Sequence, residues 1–285
     1  MVRTVVLPVA GMGTRMLPAT RSVPKELLPV YDTPMIQFAI DEAVAAGAER
    51  IVLVTHPSKT ELDEYVKRPV TLERSLRERG KTAELAELCR VTLDDRVEVV
   101  TVTQEEQRGL GHAVLMARDV TGGDPFGVIL PDDLLLGGTC LGAMAEAYHA
   151  APDCRSLIGA MAVPPAQVSR YGIFSFAEMG SRDGTILPAR GLVEKPDPAD
   201  APSDMAAIGR YILPHEIFEE LARTRPGQGA EIQLTDAIDA LGGLAAFPIT
   251  EPRFDCGSKE GLFEASRAVR EARIQTTGEL HIAAE

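Results

Sequence analysis

The pattern of apolar and polar positions along the first half of the chain predicts β-strands that alternate with α-helices. Apolar positions at helical spacing over residues 34–46 predict a helix, and Gly47 just beyond it is a typical stop. Further helices are indicated at residues 59–67, 72–88 and 113–117. The strands are short apolar or β-branched runs, at residues 4–7, 51–54, 97–102 and 126–130. Several of these strands are apolar on both faces, which predicts an α/β fold with a Rossmann-like, open, mixed but mainly parallel sheet flanked by helices.

The pattern changes beyond residue 151, where Pro and Gly interrupt it more often. Short strands are predicted at residues 156–162, 172–176, 191–193 and 207–212, and a strand-like run lies at 245–249. Helices are predicted at residues 215–223, 232–241 and 259–273. The sequence shows no internal repeat, and no flexible linker lies between the two parts of the chain. We therefore expect a single domain over residues 1–285, made of a first half (1–135), a smaller lobe (151–257) and a C-terminal helix and tail (258–285).

Composition narrows the class of protein. The 285 residues are 45% apolar and 25% charged, which is typical of a folded domain. With 29 basic and 42 acidic side chains the formal net charge is −13, which disfavours binding to nucleic acid or to an anionic membrane. Four scattered cysteines without a CxxC pair favour a reducing compartment over a zinc site or a disulfide framework. Neither a signal-peptide core nor a membrane-length apolar run is evident, so a cytoplasmic location is expected.

The loop after the first strand carries the strongest chemical signal. It reads LPVAGMGTRMLP over residues 7–18 and continues with PKELLP over residues 24–29. Gly11 and Gly13 let the backbone approach a ligand closely, so that N–H groups can face phosphate oxygens. Arg15 adds a permanently charged fork suited to phosphates, and Lys25 adds a point charge. The third glycine of a Rossmann fingerprint and the Gly-Lys-Ser/Thr of a Walker A loop are absent, and a plain glycine turn would not need the basic residues.

Residues 7–29 closely resemble the signature of the sugar-nucleotide pyrophosphorylases, and LPAT…PKE is similar to their bacterial UTP–glucose-1-phosphate uridylyltransferase branch. Further matching blocks follow in the family's order: Gln104 with GLGHA at 109–113, LPDD at 130–133, YGI at 171–173, VEKP at 193–196, GRY at 209–211, EIQLTDAI at 231–238 and DCG at 255–257. The resemblance implies a GT-A-like nucleotidyltransferase fold in which residues 1–135 bind the nucleotide and residues 151–257 the sugar phosphate. It further implies an enzyme that transfers UMP from UTP to α-D-glucose 1-phosphate, with Mg²⁺ as cofactor and a homodimer or homotetramer as assembly.

The resemblance also implies roles for individual residues. Among the catalytic residues, Arg15 would face the leaving pyrophosphate, Lys25 the α-phosphate, Lys195 the sugar phosphate and Asp132 the Mg²⁺. The nucleotide-binding residues would be Ala10, Gly11, Gly13, Thr14, Glu26, Gln104 and Gly109, the last two reading the base. The sugar-binding residues would be Gly172, Glu194 and Lys195, and the metal ligands Asp132 and Asp255.

Each block also has a simpler interpretation. Asp132 and Asp133 could form a turn or a helix cap, Glu194 and Lys195 an exposed ion pair, and the helical stretch 71–90 is interpreted as solvated helix rather than a flap. His112 is interpreted as a packing or helix-start residue, since phosphoryl oxygens need no general base. For the whole chain, the alternatives are thymidylyl transfer, uridylyl transfer to another sugar 1-phosphate, a catalytically silent paralogue, and an NAD-binding oxidoreductase that here lacks its fingerprint.

Overall fold

A ten-stranded mixed sheet forms the centre of the computed structural model, which describes residues 2–176 and 186–277. The strands of these ranges are, in chain order, β1 (Thr4–Pro8), β2 (Pro29–Val30), β3 (Thr33–Pro34), β4 (Arg50–Thr55), β5 (Glu98–Thr103), β6 (Phe126–Ile129), β7 (Asp133–Leu135), β8 (Ser156–Ala162), β9 (Gly172–Ser175), β10 (Leu187–Pro188), β11 (Gly191–Glu194), β12 (Met205–Leu213), β13 (Leu244–Pro248) and β14 (Arg253–Asp255). The helices are α1 (Met35–Ala45), α2 (Thr60–Val66), α3 (Val70–Glu78), α4 (Thr82–Arg90), α5 (Leu110–Met116), α6 (Cys140–His149), α7 (Ile217–Arg223), α8 (Leu234–Leu241) and α9 (Lys259–Thr277). Within the same ranges, no helix is long and apolar enough to cross a membrane.

The first half of the chain forms the parallel part of the sheet, in the order β5-β4-β1-β6. In the middle of it Val6 of β1 is in register with Val52 of β4 and Val128 of β6, and all three side chains are fully buried. Strands that bury both faces need helices on either side, and this is why the apolar runs lack polar alternation. The predicted fold class, a mixed and mainly parallel sheet flanked by helices, is confirmed.

The smaller lobe continues the same sheet rather than starting a new one. The nine residues of β12 are all buried, and this strand runs antiparallel between β6 and β8. Next to β8 lies β13, which is parallel to it, and β10 closes that edge. A hairpin-like pair, β9 with β11, branches off β12. The hydrogen bonds of β12 therefore join the two halves, whose separate roles stay a prediction.

Some elements differ from the pattern read in the sequence. The stretch predicted as one helix over residues 72–88 is two helices, because Gly80 adopts a left-handed conformation with φ of 66° between them. Helix α6 was not predicted, since its alanine-rich and glycine-containing sequence has weak periodicity. The small pair β7–β14 joins residues 120 apart and has no local signature. The predicted C-terminal tail from residue 278 onward lies outside the described residues.

A fully buried ion pair ties the two halves together beneath the sheet's carboxyl edge. Glu42 of α1 is 1% exposed and accepts hydrogen bonds from Arg210 of β12, the shortest being 2.7 Å from Nη2 to Oε2. The same carboxylate accepts a bond from the backbone N–H of Leu141 in α6. Arg210 Nη1 donates to the backbone oxygen of Asp133 at 2.5 Å. One pair thus connects α1, α6, β12 and the turn that follows β6.

We expect Glu42→Ala to lower the free energy of unfolding by about 3–5 kcal/mol, because it leaves the Arg210 charge buried without its carboxylate. Urea denaturation followed by circular dichroism measures the change. The matched control is Glu98→Ala, which removes the partner of Arg50 from a pair whose side chains are 37% and 57% exposed. A loss no larger than that of the control would contradict the role given to the buried pair.

Candidate active site

The residues singled out in the sequence gather where the parallel strands end. The loops that follow β1, β5 and β6 leave the same edge of the sheet, which is where open α/β sheets bind ligands. Because β12 is antiparallel, it brings Gly209 beside Leu130, whose backbone N–H donates to the Gly209 oxygen at 2.8 Å. A cleft of about 460 Å³ opens at this edge. Of the predicted site residues, its lining includes Arg15, Asp132, Gly172, Glu194, Lys195 and Asp255.

The glycine loop after β1 is shaped by contacts with the Pro-Lys-Glu segment. Gly13 has φ of 63°, and a Cβ at this position would lie 3.0 Å from the Lys25 Cβ and 3.1 Å from the Thr20 Cγ2. The Thr20 hydroxyl donates to the Gly13 oxygen at 2.8 Å and closes the loop. Gly13 is therefore required by both conformation and space. The adjoining Gly11, Thr14 and Arg15 are exposed, as a loop that receives a ligand must be.

Lys25 forms an ion pair with Asp132, one of the residues that line the cleft. The Lys25 Nζ lies 2.5 Å from the Asp132 Oδ2, although 107 residues separate them in the chain. Burial by itself would lower the pKa of Lys25, but the charges of Asp132 and Glu26 outweigh it and raise the pKa. Burial would raise the pKa of Asp132, and the neighbouring Lys25 and Arg15 bring it below its ordinary value instead. Both groups are consequently charged at neutral pH.

A second ion pair lies under the loop rather than in the cleft. Glu26 is 1% exposed and its Oε2 accepts a hydrogen bond of 2.8 Å from Lys59, which also donates to the Val9 oxygen at 2.6 Å. Burial raises the pKa of Glu26 and lowers that of Lys59. The structure thus places the Glu26 carboxylate, expected among the nucleotide-binding groups, beneath the loop. Lys59 connects it to the end of β1.

Two carboxylates and a cation converge on one point beside Gly257. A Cβ added there would lie 2.7 Å from the Arg15 Nη2, 3.0 Å from the Asp132 Oδ2 and 3.1 Å from the Asp255 Oδ1. Only a glycine leaves this space open. Within residues 2–176 and 186–277, no group of three or more histidine, cysteine or acidic side chains could hold a metal. Asp132 and Asp255 supply carboxylate oxygens, the ligand type that a hard cation such as Mg²⁺ takes together with oxygens of phosphates and water.

The neighbouring acidic groups are engaged with arginines. Asp133 accepts from Arg253, with 2.7 Å between Nε and Oδ1, and from the backbone N–H of Gly209 at 3.0 Å. Arg253 also covers the ring of Tyr171 at 5.0 Å from its centroid. Burial raises the pKa of Asp133 although Arg253 opposes it. Asp133 is thus held in the wall of the cleft by Arg253 and Gly209. One oxygen of Asp255 pairs with Arg170, which also lines the cleft.

The far end of the cleft presents polar groups suited to a sugar phosphate. Lys195 has φ of 45° and its Nζ lies 3.0 Å from the Glu194 Oε1. The other Glu194 oxygen accepts from the Thr235 hydroxyl at 3.1 Å. A Cβ on Gly172 would come within 3.1 Å of the Thr235 Cγ2 and 3.4 Å of the Glu194 Oε2. Gly172 is therefore packed closely against Thr235 and Glu194, beside a carboxylate able to accept from hydroxyl groups and a cation able to pair with a phosphate.

The loop after β5 lies against the glycine loop on the opposite side. Gln107 Nε2 donates to the Ala10 oxygen at 2.9 Å. Gly109 has φ of 93°, and a Cβ there would lie 2.7 Å from the Glu231 Cβ. The backbone N–H of Ile232 donates to the Arg108 oxygen at 2.7 Å and fixes this turn. Ala10, Gln104 and Gly109 are thereby held near one another at the end of the sheet that carries β5.

Sequence reasoning missed the supporting side chains. Lys59 lies in a charged stretch typical of solvated surface, Arg210 is the single charge within an apolar strand, and Arg253 follows a proline loop. Thr235 lies within a matched block, but nothing local assigns it to Glu194. Each of these residues acts on a partner that is distant in the chain, so no local pattern could identify the pairing.

Comparisons with known proteins give this arrangement a context. Residues 4–272 match the family model described as nucleotidyl transferase. The chain is 40% identical to a Pseudomonas aeruginosa protein named UTP–glucose-1-phosphate uridylyltransferase, over 99% of this chain and 100% of that protein. It is similar to a UTP-bound UGPase from Acinetobacter baumannii, with a TM-score of 0.86 and 39% identity over 98% of this chain and 100% of that chain. It is also similar to a UDP-glucose pyrophosphorylase complexed with UDP-glucose, with a TM-score of 0.82 and 36% identity over 96% of this chain and 100% of that chain.

We expect Lys59→Met to lower the free energy of unfolding by about 3–5 kcal/mol, because it removes the cation that is hydrogen-bonded to the buried Glu26 carboxylate. The double variant Glu26→Gln with Lys59→Met should recover part of that loss, since the Glu26 carboxylate is then no longer buried without its partner. Urea titration of the three proteins measures both effects. Lys67→Met is the matched control, because Lys67 pairs with Glu64 on the exposed surface and its removal should cost little. A double variant no more stable than the single one would contradict this account.

Proposed function

The chain belongs to the nucleotidyl transferase family, and we propose that it transfers UMP from UTP to α-D-glucose 1-phosphate, forming UDP-glucose and releasing pyrophosphate. The observation that carries the proposal is the placement of Arg15 and Lys25 around Asp132, with Lys195 and Glu194 lining the same cleft. Cations on both sides suit a reaction in which two phosphate groups must meet despite their like charge. Relatives of about 40% identity that are named for this reaction support the choice of nucleotide and sugar.

The proposed chemistry is an in-line displacement. An oxygen of the sugar 1-phosphate forms a bond to the α-phosphorus of UTP, and the bond from that phosphorus to the α,β-bridging oxygen breaks, so that this oxygen leaves with the pyrophosphate. Lys25 neutralises the charge that grows on the α-phosphate, Arg15 receives the leaving pyrophosphate, and Lys195 holds the attacking phosphate. Positioning and charge supply the catalysis, so no protein nucleophile is required.

We assign Mg²⁺ to Asp132 and Asp255, which both line the cleft. When bound there, the ion would neutralise phosphate charge and orient phosphate oxygens. Arg170 pairs with one oxygen of Asp255, and the other accepts a hydrogen bond of 3.2 Å from the backbone N–H of Gly257. Asp133 is excluded from the ligand set by its bonds to Arg253 and Gly209. A homodimer or homotetramer stays a prediction.

Nucleotide recognition is assigned to the two loops that flank the phosphate site. We propose that the backbone of Ala10, Gly11, Gly13 and Thr14 contacts the nucleotide, and that Gln104 and Gly109 face the base. The Glu26 carboxylate supports the glycine loop through Lys59 rather than touching the ligand. On the sugar side, Gly172 offers its backbone, and Glu194 accepts hydrogen bonds from the hydroxyl groups.

The proposed activity is tested by measuring pyrophosphate release from glucose 1-phosphate, Mg²⁺ and each of UTP, dTTP, CTP, ATP and GTP. We expect release to be fastest with UTP and to stop when the divalent ion is chelated. A preference for dTTP would keep the mechanism and change the nucleotide, because a single methyl group separates the two bases. No release with any nucleotide, and none with other sugar 1-phosphates, would indicate the silent paralogue and overturn the proposal.

We expect Lys25→Ala to lower kcat by about 10²–10³-fold while the KM for UTP changes little, because the Lys25 charge complements the transition state more than the bound substrate. Initial rates at varied UTP separate the two constants. Lys81→Ala is the matched control, since that lysine pairs with Glu84 on the exposed α3–α4 region. Equal losses in kcat and in UTP affinity would contradict a transition-state role for Lys25.

A further inference from the structure

Gln104 lies at the end of β5 with its side chain almost enclosed. Its backbone N–H donates to the Thr55 oxygen at 2.8 Å, which continues the pairing of β4 and β5 by one residue. The residue is 3% exposed, so its amide has little freedom to reorient toward water. A side chain held in this way presents one fixed hydrogen-bonding atom to whatever binds beside it.

The contacts of the amide nitrogen define which way the group is turned. Gln104 Nε2 lies 3.3 Å from the backbone oxygen of Gly109 and 2.8 Å from the Nδ1 of His112. A carbonyl oxygen can only accept, so the amide atom that faces Gly109 is the nitrogen. Its two hydrogens are then directed to the Gly109 oxygen and to the His112 ring. His112 must accept through Nδ1 and carry its own proton on Nε2.

The environment of His112 keeps the ring in this accepting form. Burial lowers the pKa of His112, and the positive charge of Arg108 lowers it further, while Glu106 opposes the shift. The neutral ring retains the Nδ1 lone pair that the Gln104 amide needs. A protonated ring would place the His112 Nδ1–H donor against the N–H donor of the Gln104 amide.

The Gln104 oxygen remains as the group's open acceptor. Among the residues that the structure describes, no hydrogen bond uses this Oε1. In that part of the chain, the buried side-chain atoms without a hydrogen-bond partner belong to Glu26, Thr55, Ser156 and His215. The Gln104 Oε1 is not one of them. Because this oxygen is neither hydrogen-bonded nor counted among the fully buried atoms of that part of the chain, it remains accessible as an acceptor. Gln107 holds the two loops together through the Ala10 oxygen.

We propose that His112 is a positioning residue that fixes the Gln104 amide so that its oxygen selects a pyrimidine carrying a hydrogen on N3. Uracil and thymine have an N3–H donor, whereas the N3 of cytosine is an acceptor and would meet the Gln104 oxygen lone pair to lone pair. The discrimination thus comes from the direction of one neutral amide. This assignment deepens the proposed function and rests on it, since it concerns the base of the same nucleotide.

The test compares kcat/KM for UTP and for CTP in the wild-type enzyme and in three variants. We expect His112→Leu to reduce the ratio of the two constants by about tenfold, mainly through a higher KM for UTP, because the amide is then free to turn. His112→Asn should restore much of the ratio, since the Asn Oδ1 can accept the same hydrogen. Val114→Ala, at a fully buried position on α5, is the control for general loosening of the helix and should leave the ratio unchanged.

The outcomes separate this inference from the proposed function. A His112→Leu enzyme that loses activity equally with UTP and CTP, or an asparagine variant no better than the leucine one, would overturn the positioning role. If the variants fail to fold, wild-type enzyme with 3-methyl-UTP tests the same acceptor. At least tenfold slower use of the methylated nucleotide is expected, and equal use overturns the inference. A wild-type enzyme that releases pyrophosphate from no nucleotide would instead be a failure of the proposed function.

Discussion

The burial of carboxylates at the carboxyl edge of the sheet is the constraint on which the site depends. β6 is fully buried, so the turn that follows it brings Asp132 and Asp133 out of bulk water. A carboxylate in such a place must have a cation near it, or it would lose its charge. Asp132 is compensated by Lys25 and Asp133 by Arg253. Lys25, which the proposal assigns to the α-phosphate, is thus held in position by the protein before any phosphate arrives.

The buried ion pairs differ in whether they are enclosed by protein or border the cleft. Glu42 with Arg210, and Glu26 with Lys59, are enclosed by protein and fix the turn after β6 and the end of β1. Asp132, the partner of Lys25, lines the cleft instead, and in the proposed reaction a phosphate would replace Asp132 as the anion beside Lys25. The enclosed pairs serve as a rigid base, so the exposed pair can exchange partners without moving the loops. Catalysis by positioning and charge requires this kind of fixed support.

Much of the fold, and the family, could be predicted from the sequence, because both depend on local sequence patterns. The strands β1, β4, β5 and β6 follow from apolar runs, and the loop over residues 7–29 carries its own chemistry. The supporting ion pairs could not be predicted from the sequence, since 33 residues separate Glu26 from Lys59 and 168 residues separate Glu42 from Arg210. A charged side chain in a sequence looks the same whether it is solvated or buried against a distant partner. The placement of Glu26 beneath the loop shows this limit most clearly.

The order of strands in the sheet corresponds to the order of groups in the proposed product. Gln104 stands at the end of β5, the glycine loop follows β1, Asp132 follows β6, and the sugar-side residues lie beyond β12 on β9 and β11. A base, two phosphates and a sugar laid along this edge would meet an amide, then cations and carboxylates, then a carboxylate and a cation at the sugar. Charge is concentrated where phosphorus–oxygen bonds change and is absent from the side chains proposed to read the base. Neutral groups at the base can select one nucleotide without disturbing the field that the phosphates experience, so selectivity and rate can be tuned by separate residues on one rigid sheet.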